Sequence, residues 1–222
     1  MSTFVLIPGA GGAGWYWNRV VTLLQAAGFE ALAVDLPGAD KTAGLCEYAG
    51  LVVDAIGARQ DVALVAQSLG GFTAAMVSEA TRVESVTFVN AMIPVPHETP
   101  GDWWENTGAV EARAFAATVG GYGDFDLGTY FLHDVPLAVA AEGESHQRLE
   151  ADAVFSSRCE FAAWTSLPPV RAVGGAEDRF FPIDFQRRVA HDRLGIDIDV
   201  LPGGHLIALA QPAPLVDYLI HR

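Results

Sequence analysis

Short apolar runs recur along the chain, and stretches with helical periodicity separate most of them. Runs of this length, rich in β-branched residues and bounded by glycine or proline, are typical of buried strands. The six runs are residues 3–7, 31–35, 62–66, 83–90, 170–174 and 197–201. Because strands that alternate with helices form parallel βαβ units, the pattern predicts an α/β fold with a six-stranded parallel sheet flanked by helices.

Helical periodicity is clearest after the first strand and near the end of the chain. Apolar residues from Trp17 to Leu24 are spaced at i, i+3, i+4 and i+7, which predicts an amphipathic helix. Residues 182–193 begin with proline, as first helical turns often do, and a last helix is predicted to begin at Pro212. These helices are expected to cover the sheet.

The alternation fails once, between the fourth and fifth strands. Residues 92–168 are far longer than the usual connection in an α/β unit, which predicts an inserted, mainly helical lid. Residues 137–153, rich in alanine and glutamate, are predicted to form one of its helices. The chain of 222 residues is therefore interpreted as a single domain, 1–222, with a core of 1–91 and 169–222 and a lid of about 92–168.

The charge distribution limits the partners. The net charge is −14, with a single lysine, Lys41, among 13 basic residues. Nucleic acid and anionic membrane surfaces need clustered cations, so neither is expected as a partner. Residues 92–168 hold three arginines and twelve acidic residues, and thus −9 of the net charge. This acidic segment is either a solvated face or a mouth that repels anionic substrates.

Cysteine usage and the first residues bear on the compartment. Cys46 and Cys159 lack the spacing of metal ligands, which suits free thiols in a reducing compartment. The first 18 residues carry no basic region of a secretory signal, and Pro8 interrupts any helical span. A cytoplasmic protein without a bound metal is expected.

A nucleophile is predicted directly after the third strand, in VAQSLGGF. A sharp strand-to-helix turn that presents a serine needs small residues two before it and two after it, and Ala66 and Gly70 supply them around Ser68. The alternative is that Ser68 only caps the following helix. The position between an apolar strand and an alanine-rich helix favours the nucleophile.

A serine nucleophile needs a histidine base and an orienting carboxylate. Of six histidines, only His205 follows a strand and a Gly-Gly turn, in VLPGGHLIAL, which places it at the same sheet edge as Ser68. The loop after the fifth strand, VGGAEDRFFP, offers Asp178 as the acid, with Glu177 as the alternative. The order Ser, Asp, His along the chain is the order in α/β-hydrolases.

The glycines after the first strand allow a second interpretation. Gly9, Gly11 and Gly14 fit the G-x-G-x-x-G spacing of a dinucleotide-binding loop, and Asp35 lies where that motif has an acid. Three aromatic residues, 15–17, stand where such a loop packs small residues against its helix. This interpretation also leaves Ser68 unexplained, so no nucleotide cofactor is expected.

Together these motifs resemble the α/β-hydrolase superfamily. The segments AQSLGG, GAEDRFFP and PGGHLIAL are similar to its nucleophile, acid and histidine motifs. The segments VLIPGAGGAGWYW and AVDLPG resemble the branch of plant hydroxynitrile lyases, methyl esterases and small bacterial hydrolases. The resemblance covers residues 3–90 and 170–220, whereas the lid matches only loosely. Two departures are Pro8, where the family usually has histidine, and Ala66, where it usually has glycine.

The resemblance implies an oxyanion hole and a reaction. The backbone N–H groups of Leu69 and of Ala10, with Gly11 as an alternative, are expected to hold the oxyanion. Hydrolysis of a carboxylic ester through an acyl-enzyme on Ser68 is the leading expectation, and it needs no cofactor and no metal. Aromatic residues of the lid indicate a small, largely apolar, neutral substrate. The residues expected to contact the substrate are Gly11, Trp103, Trp104, Tyr130 and Phe131.

Other functions fit the same motifs. The aromatic cluster of the lid is alternatively a small hydrophobic core. A hydroxynitrile lyase is the nearest chemical rival, but the plant lyases have lysine and threonine where this chain has Leu206 and Gly9. Hydrolysis of a thioester, a lactone or a C–C bond would use the same triad, and a receptor-like protein that binds without turnover is a third class. The oligomeric state stays open.

Overall fold

The sheet matches the predicted topology. The computed structural model describes residues 2–166 and 168–221. Within them, six strands form one parallel sheet in the order β2-β1-β3-β4-β5-β6. The strands are β1 (Thr3–Ile7), β2 (Glu30–Ala33), β3 (Val62–Gln67), β4 (Ser85–Val89), β5 (Val170–Gly175) and β6 (Asp199–Leu201). The predicted fold class is confirmed, and each strand both begins and ends within two residues of the predicted positions.

Helices cover both faces of the sheet. The helices are α1 (Asn18–Ala26), α2 (Leu45–Ile56), α3 (Gly70–Ala80), α4 (Pro100–Thr107), α5 (Ala109–Gly120), α6 (Leu137–Gly143), α7 (Asp152–Phe155), α8 (Ile183–Leu194), α9 (Ile207–Ala210) and α10 (Pro212–His221). Short 3₁₀ turns lie at Gly14–Trp17, Glu144–His146 and Trp164–Ser166, and a π-helical turn lies at Gly128–Leu132. In the described ranges, no helix combines the length and apolarity that crossing a membrane would require.

The core lies in two layers, one on each side of the sheet. Successive side chains of a strand point to opposite faces. In β1, Val5 and Ile7 pack with α2, α3 and α8, whereas Phe4 and Leu6 pack with α1, α9 and α10. All five residues of β1 are buried, as expected for a strand covered on both faces. Because the helices cover both faces of the sheet, the carboxyl ends of the strands are where a ligand site can form.

The described part of the segment between β4 and β5 holds four helices, α4 to α7. Helix α4 begins with a side-chain cap: the Thr99 side chain accepts a hydrogen bond from the backbone N–H of Asp102, and Pro100 occupies the first turn. The single helix predicted for residues 137–153 is wrong. After α6 and a 3₁₀ turn, the backbone becomes extended at Gln147, with φ −63° and ψ 133°. Contacts between residues 147–151 and the core override the local helix propensity.

Candidate active site

Ser68 lies in the tight turn between β3 and α3. Its φ is +49°, in the left-handed region that residues other than glycine rarely adopt. A Cβ atom at Gly70 would lie 2.6 Å from the carbonyl oxygen of Pro8, so this turn has no room for a larger residue there. The turn places the Ser68 side chain in a cavity at the carboxyl edge of the sheet, as a nucleophile elbow does.

Ser68, His205 and Asp178 form one hydrogen-bonded chain. His205 Nε2 lies 3.1 Å from Ser68 Oγ, and His205 Nδ1 lies 2.8 Å from Asp178 Oδ2. All three residues are buried, with 8%, 1% and 4% of their surface exposed respectively. Such a carboxylate can orient the imidazole and stabilise it when it gains a proton. The structure thus brings together three residues that lie far apart in the sequence, after β3, β5 and β6.

Asp178, rather than Glu177, faces the imidazole. The Glu177 carboxylate instead accepts a hydrogen bond from the backbone N–H of Gly203. Asp178 Oδ1 accepts backbone N–H groups from Phe180 and Phe181, each at 2.8 Å. These bonds fix the carboxylate while its other oxygen faces His205.

Two amide side chains that the sequence analysis did not identify complete this network. Gln186 on α8 donates to Asp178 Oδ2 at 3.1 Å. Asn90 follows β4, is fully buried and has φ +46°. Its Nδ2 donates to the carbonyl oxygens of Gly204 and His205, each at 3.0 Å, and its Oδ1 accepts the N–H of Gly175 at 2.7 Å. Asn90 thus connects the loop that carries His205 to the end of β5. The one feature of the sequence that could have identified Asn90 is its position at the end of the predicted strand 83–90.

The loop after β1 lies beside Ser68 and carries the predicted oxyanion donors. Ala10 and Leu69 both line the cavity that holds Ser68. Their backbone N–H groups have no acceptor within the part of the chain that the structure describes. The N–H of Gly11, by contrast, donates to Glu150 Oε2 at 2.6 Å. Of the two donors considered for this loop, Ala10 therefore fits the oxyanion role better than Gly11.

The cavity above Ser68 is mainly apolar. Its volume is about 440 Å³, within the range of small-molecule sites. Of the predicted substrate contacts, Gly11, Trp104 and Phe131 line it. Among the described lining residues there is no Lys, Asp or Glu, and Arg148 is the only Arg. Its Nη1 pairs with Asp35 Oδ1 at 3.0 Å. A neutral, apolar molecule suits this lining.

Aromatic rings also surround the imidazole of His205. The rings of Phe131, Phe180 and Phe181 contact it edge to face, with centroids 5.2, 4.9 and 5.1 Å away. Phe180 lines the cavity as well, although the sequence analysis did not select it. These rings help to bury His205, which is 1% exposed, and burial strengthens the electrostatic interaction between His205 and Asp178.

Two predicted substrate contacts, Trp103 and Tyr130, lie outside the cavity lining. Trp103 is fully buried, and its Nε1 donates to the carbonyl oxygen of Ile93 at 3.1 Å. The Tyr130 hydroxyl donates to the carbonyl oxygen of Gly123 at 3.1 Å. Because consecutive helical residues point about 100° apart, Trp103 and Trp104 face different surroundings: Trp104 lines the cavity and Trp103 lies in the core. Trp103 thus packs α4 against Phe181 and Phe185 of the core, whereas Tyr130 packs with Tyr122 and Phe125 inside the inserted segment.

The residues of the dinucleotide motif have other partners. Asp35 Oδ1 accepts the backbone N–H of Gly14 at 3.0 Å and pairs with Arg148. This carboxylate therefore closes the glycine loop onto the segment that crosses it. In the two described ranges, no group of three or more His, Cys, Asp or Glu side chains could hold a metal ion.

Tyr16 forms an uncharged part of the cavity wall. Its hydroxyl lies 3.4 Å from the backbone nitrogen of Ala208, which donates to it. Burial raises the pKa of Tyr16 above its ordinary value, and the nearby carboxylates of Asp178 and Asp134 raise it further. The phenol therefore stays neutral at physiological pH.

The fold and the site define a class of protein. A doubly wound parallel sheet with a strained serine after β3, an acid after β5 and a histidine after β6 is the arrangement of enzymes with a nucleophile elbow. The chain belongs to the alpha/beta hydrolase family, whose sequence model matches residues 4–218.

Curated relatives of this chain include plant esterases. A probable esterase, PIR7A, from Oryza sativa subsp. indica is 35% identical over 41% of this chain. That match spans 39% of the rice protein, so it covers about two fifths of each chain. Methylesterase 9 from Arabidopsis thaliana is 26% identical, and its alignment covers 99% of this chain and 97% of the relative.

Solved structures share the fold over nearly the whole length. Polyneuridine aldehyde esterase superposes with a TM-score of 0.81 at 19% identity, covering 99% of this chain and 98% of that one. A pyrethroid hydrolase from Sphingobium faniae JZ-2 has a TM-score of 0.77 at 20% identity, covering 98% and 95% of the two chains. At these identities, the likeness shows a common fold.

Proposed function

We propose that this protein is a serine esterase that hydrolyses carboxylic esters of small, largely apolar, neutral substrates through an acyl-enzyme. The observation that carries the proposal is the hydrogen-bonded chain from Asp178 through His205 to Ser68, which ends in an apolar cavity. Relatives that are named esterase and methylesterase support the same reaction. No cofactor is needed for this chemistry.

Acylation begins at Ser68. His205 Nε2, at 3.1 Å, takes the hydroxyl proton as Oγ attacks the ester carbon. Asp178 stabilises the resulting imidazolium through Nδ1. The developing oxyanion accepts hydrogen bonds from the N–H groups of Leu69 and Ala10, and loss of one such donor typically costs about 3 kcal/mol of transition-state stabilisation. His205 then protonates the alcohol, which leaves.

Deacylation repeats these roles with water. His205 removes a proton from the water that attacks the acyl carbon, and the same two N–H groups hold the second oxyanion. His205 finally returns the proton to Ser68 Oγ, which releases the carboxylic acid and restores the free enzyme.

The cavity lining supports an apolar substrate. Trp104, Phe131, Phe155 and Phe180 supply flat apolar walls, and the charge of Arg148 is paired with a carboxylate. Aromatic walls favour apolar or aromatic groups by area burial and by ring packing. An anionic substrate would meet no unpaired cation among the described lining residues.

The test combines active-site labelling with substrate profiling. We expect purified protein to hydrolyse short-chain p-nitrophenyl esters and to react covalently with a fluorophosphonate, and Ser68→Ala to abolish both. Ser78→Ala is the matched control, because Ser78 lies on α3, the helix that follows Ser68, and its hydroxyl donates to the carbonyl oxygen of Ala74. Folded protein that neither reacts nor hydrolyses any ester would contradict the esterase and favour a receptor-like binder.

The other reactions of this fold are outcomes of the same panel. Cyanohydrin cleavage releases cyanide, which a nearby cation would stabilise, but here the apolar Leu206 lines the cavity directly after His205. Ester hydrolysis therefore fits this cavity better than a lyase reaction. Labelling of Ser68 without ester turnover would redirect the assignment to thioesters, lactones, C–C bonds or cyanohydrins.

A further inference from the structure

Residues 147–151 cross the glycine loop after β1 and touch it closely. Gly11 has φ +86°, and a Cβ atom there would lie 2.5 Å from the carbonyl oxygen of Arg148. In the same crossing, Glu150 Oε2 accepts the N–H of Gly11 at 2.6 Å. The inserted segment thus reaches the loop that carries a predicted oxyanion donor, although Glu150 itself does not line the cavity.

Glu150 is held from the core side as well. Its other carboxylate oxygen accepts a hydrogen bond from the hydroxyl of Tyr48, a buried residue of α2. The next residue, Ala151, donates its N–H to the carbonyl oxygen of Gly38 at 2.7 Å. Glu150 therefore has a fixed position from which it can constrain the glycine loop.

Other hydrogen bonds hold the glycine loop, but among the described residues none of them involves the peptide unit between Ala10 and Gly11. Pro8 has no N–H group and no polar side chain, and the N–H of Gly12 donates to the carbonyl oxygen of Gly9 at 3.0 Å. Farther along the loop, the carbonyl oxygen of Gly12 accepts the N–H of Leu36 at 2.8 Å, and the N–H of Gly14 donates to Asp35. Glycine has more backbone freedom than any other residue. The N–H of Gly11 belongs to the peptide plane that follows Ala10, so fixing that N–H limits how the Ala10 N–H can turn.

We infer that Glu150 is a positioning residue for oxyanion stabilisation: its bond to the N–H of Gly11 holds the loop so that the Ala10 N–H faces the developing charge. The inference rests on the proposed ester hydrolysis at Ser68. Glu150 touches no reacting atom and acts through the loop. A negative charge near the oxyanion brings no benefit of its own, so its contribution is the fixed acceptor.

The kinetic test compares acceptors at this position. Glu150→Met keeps the length of the side chain without a strong acceptor, and Glu150→Gln offers an amide oxygen to the same N–H. We expect Glu150→Met to lower kcat about 10- to 30-fold with KM nearly unchanged, less than direct removal of an oxyanion donor. Glu150→Gln should restore kcat to within about threefold of the wild type. Glu144→Gln, an exposed glutamate of the same segment, is the control and should behave as wild type.

A trifluoromethyl ketone inhibitor provides a readout that a purely structural role would not move. Its adduct on Ser68 carries an oxyanion in the same hole, so its affinity should fall by the same factor as kcat in Glu150→Met. A kcat within twofold of wild type, or a loss carried by KM alone, would overturn the inference. Glu150→Ala replaces Glu150→Met if the methionine variant does not fold.

Hydrogen exchange separates this inference from the proposed function. If the wild type neither hydrolyses esters nor reacts with a fluorophosphonate, the esterase proposal fails on its own. Exchange of residues 9–14 still tests whether Glu150 holds the loop: we expect about tenfold faster exchange in Glu150→Met and wild-type protection in Glu150→Gln. Unchanged protection in Glu150→Met would overturn the inference whatever the enzyme's activity.

Discussion

Replacement of Asn90 tests the frame that aligns His205. Asn90 donates to the carbonyl oxygens of Gly204 and His205 and accepts the N–H of Gly175. Asn90→Ala removes all of these bonds at once. The carbonyl oxygen of His205 keeps a second hydrogen bond, from Gln67 Nε2 at 3.4 Å. The two buried backbone groups that lose the partner supplied by Asn90 are therefore the N–H of Gly175 and the carbonyl of Gly204.

The magnitude follows from those two groups. Each buried group left without a partner costs about 1–3 kcal/mol, so we expect a loss of about 4 kcal/mol in the free energy of unfolding. Asn90 also has φ +46°, where alanine is strained by about a further 1 kcal/mol. Asn90→Gly loses the same hydrogen bonds without that strain, so it should be about 1 kcal/mol more stable than Asn90→Ala.

The assay is urea denaturation, followed by tryptophan fluorescence, together with the rate at which a fluorophosphonate labels Ser68 in the folded variants. We expect both Asn90 variants to label more slowly than the wild type, since the His205 loop loses its anchor. A loss of stability below about 1 kcal/mol in both variants, or an unchanged labelling rate, would refute the reasoning.

Three further predictions concern the acid, an ion pair and the thiols. Asp178→Asn should remain folded while kcat falls by about four orders of magnitude, because the same change in serine proteases leaves the histidine in the wrong tautomer. A loss below tenfold in ester hydrolysis would contradict the role of Asp178. Glu98 is buried and bonded to Arg193 at 2.9 Å, so Glu98→Ala should cost about 3–5 kcal/mol in urea denaturation, and a loss below about 1 kcal/mol would count against the pair. Burial raises the pKa of Cys159, whereas Cys46 is exposed, so a disulfide reagent at pH 8 should titrate one thiol before unfolding and two after it; two fast thiols in the folded protein would disprove this.

The strands, and the meeting of Ser68, Asp178 and His205 at one edge of the sheet, could be predicted because their signals are local. A buried parallel strand reads as a short apolar run, and all six runs form strands. The residues after β3, β5 and β6 meet at one edge because parallel strands end there, so Ser68, Asp178 and His205 follow from their positions in the sequence. The choice of Asp178 over Glu177 depended on residue type, and the observed hydrogen bonds agree with it.

What the sequence could not show depends on tertiary packing. Trp103 and Trp104 are neighbours with the same side chain, and only the way α4 packs decides which one reaches the cavity. The stretch 137–153 has helix-forming residues, but contacts with the glycine loop hold the backbone in an extended conformation after His146. Asn90 is a polar residue at a strand end like several others, and its role depends on carbonyls more than 100 residues away.

The most direct test of the central claim is the site of the covalent adduct. Intact-protein and peptide mass spectrometry after treatment with a fluorophosphonate should show one adduct, on Ser68, and none in Ser68→Ala. The same protein should release p-nitrophenol from a short-chain ester in a burst that matches the number of labelled sites. An adduct on another residue, or a folded protein that takes no label, would contradict the account.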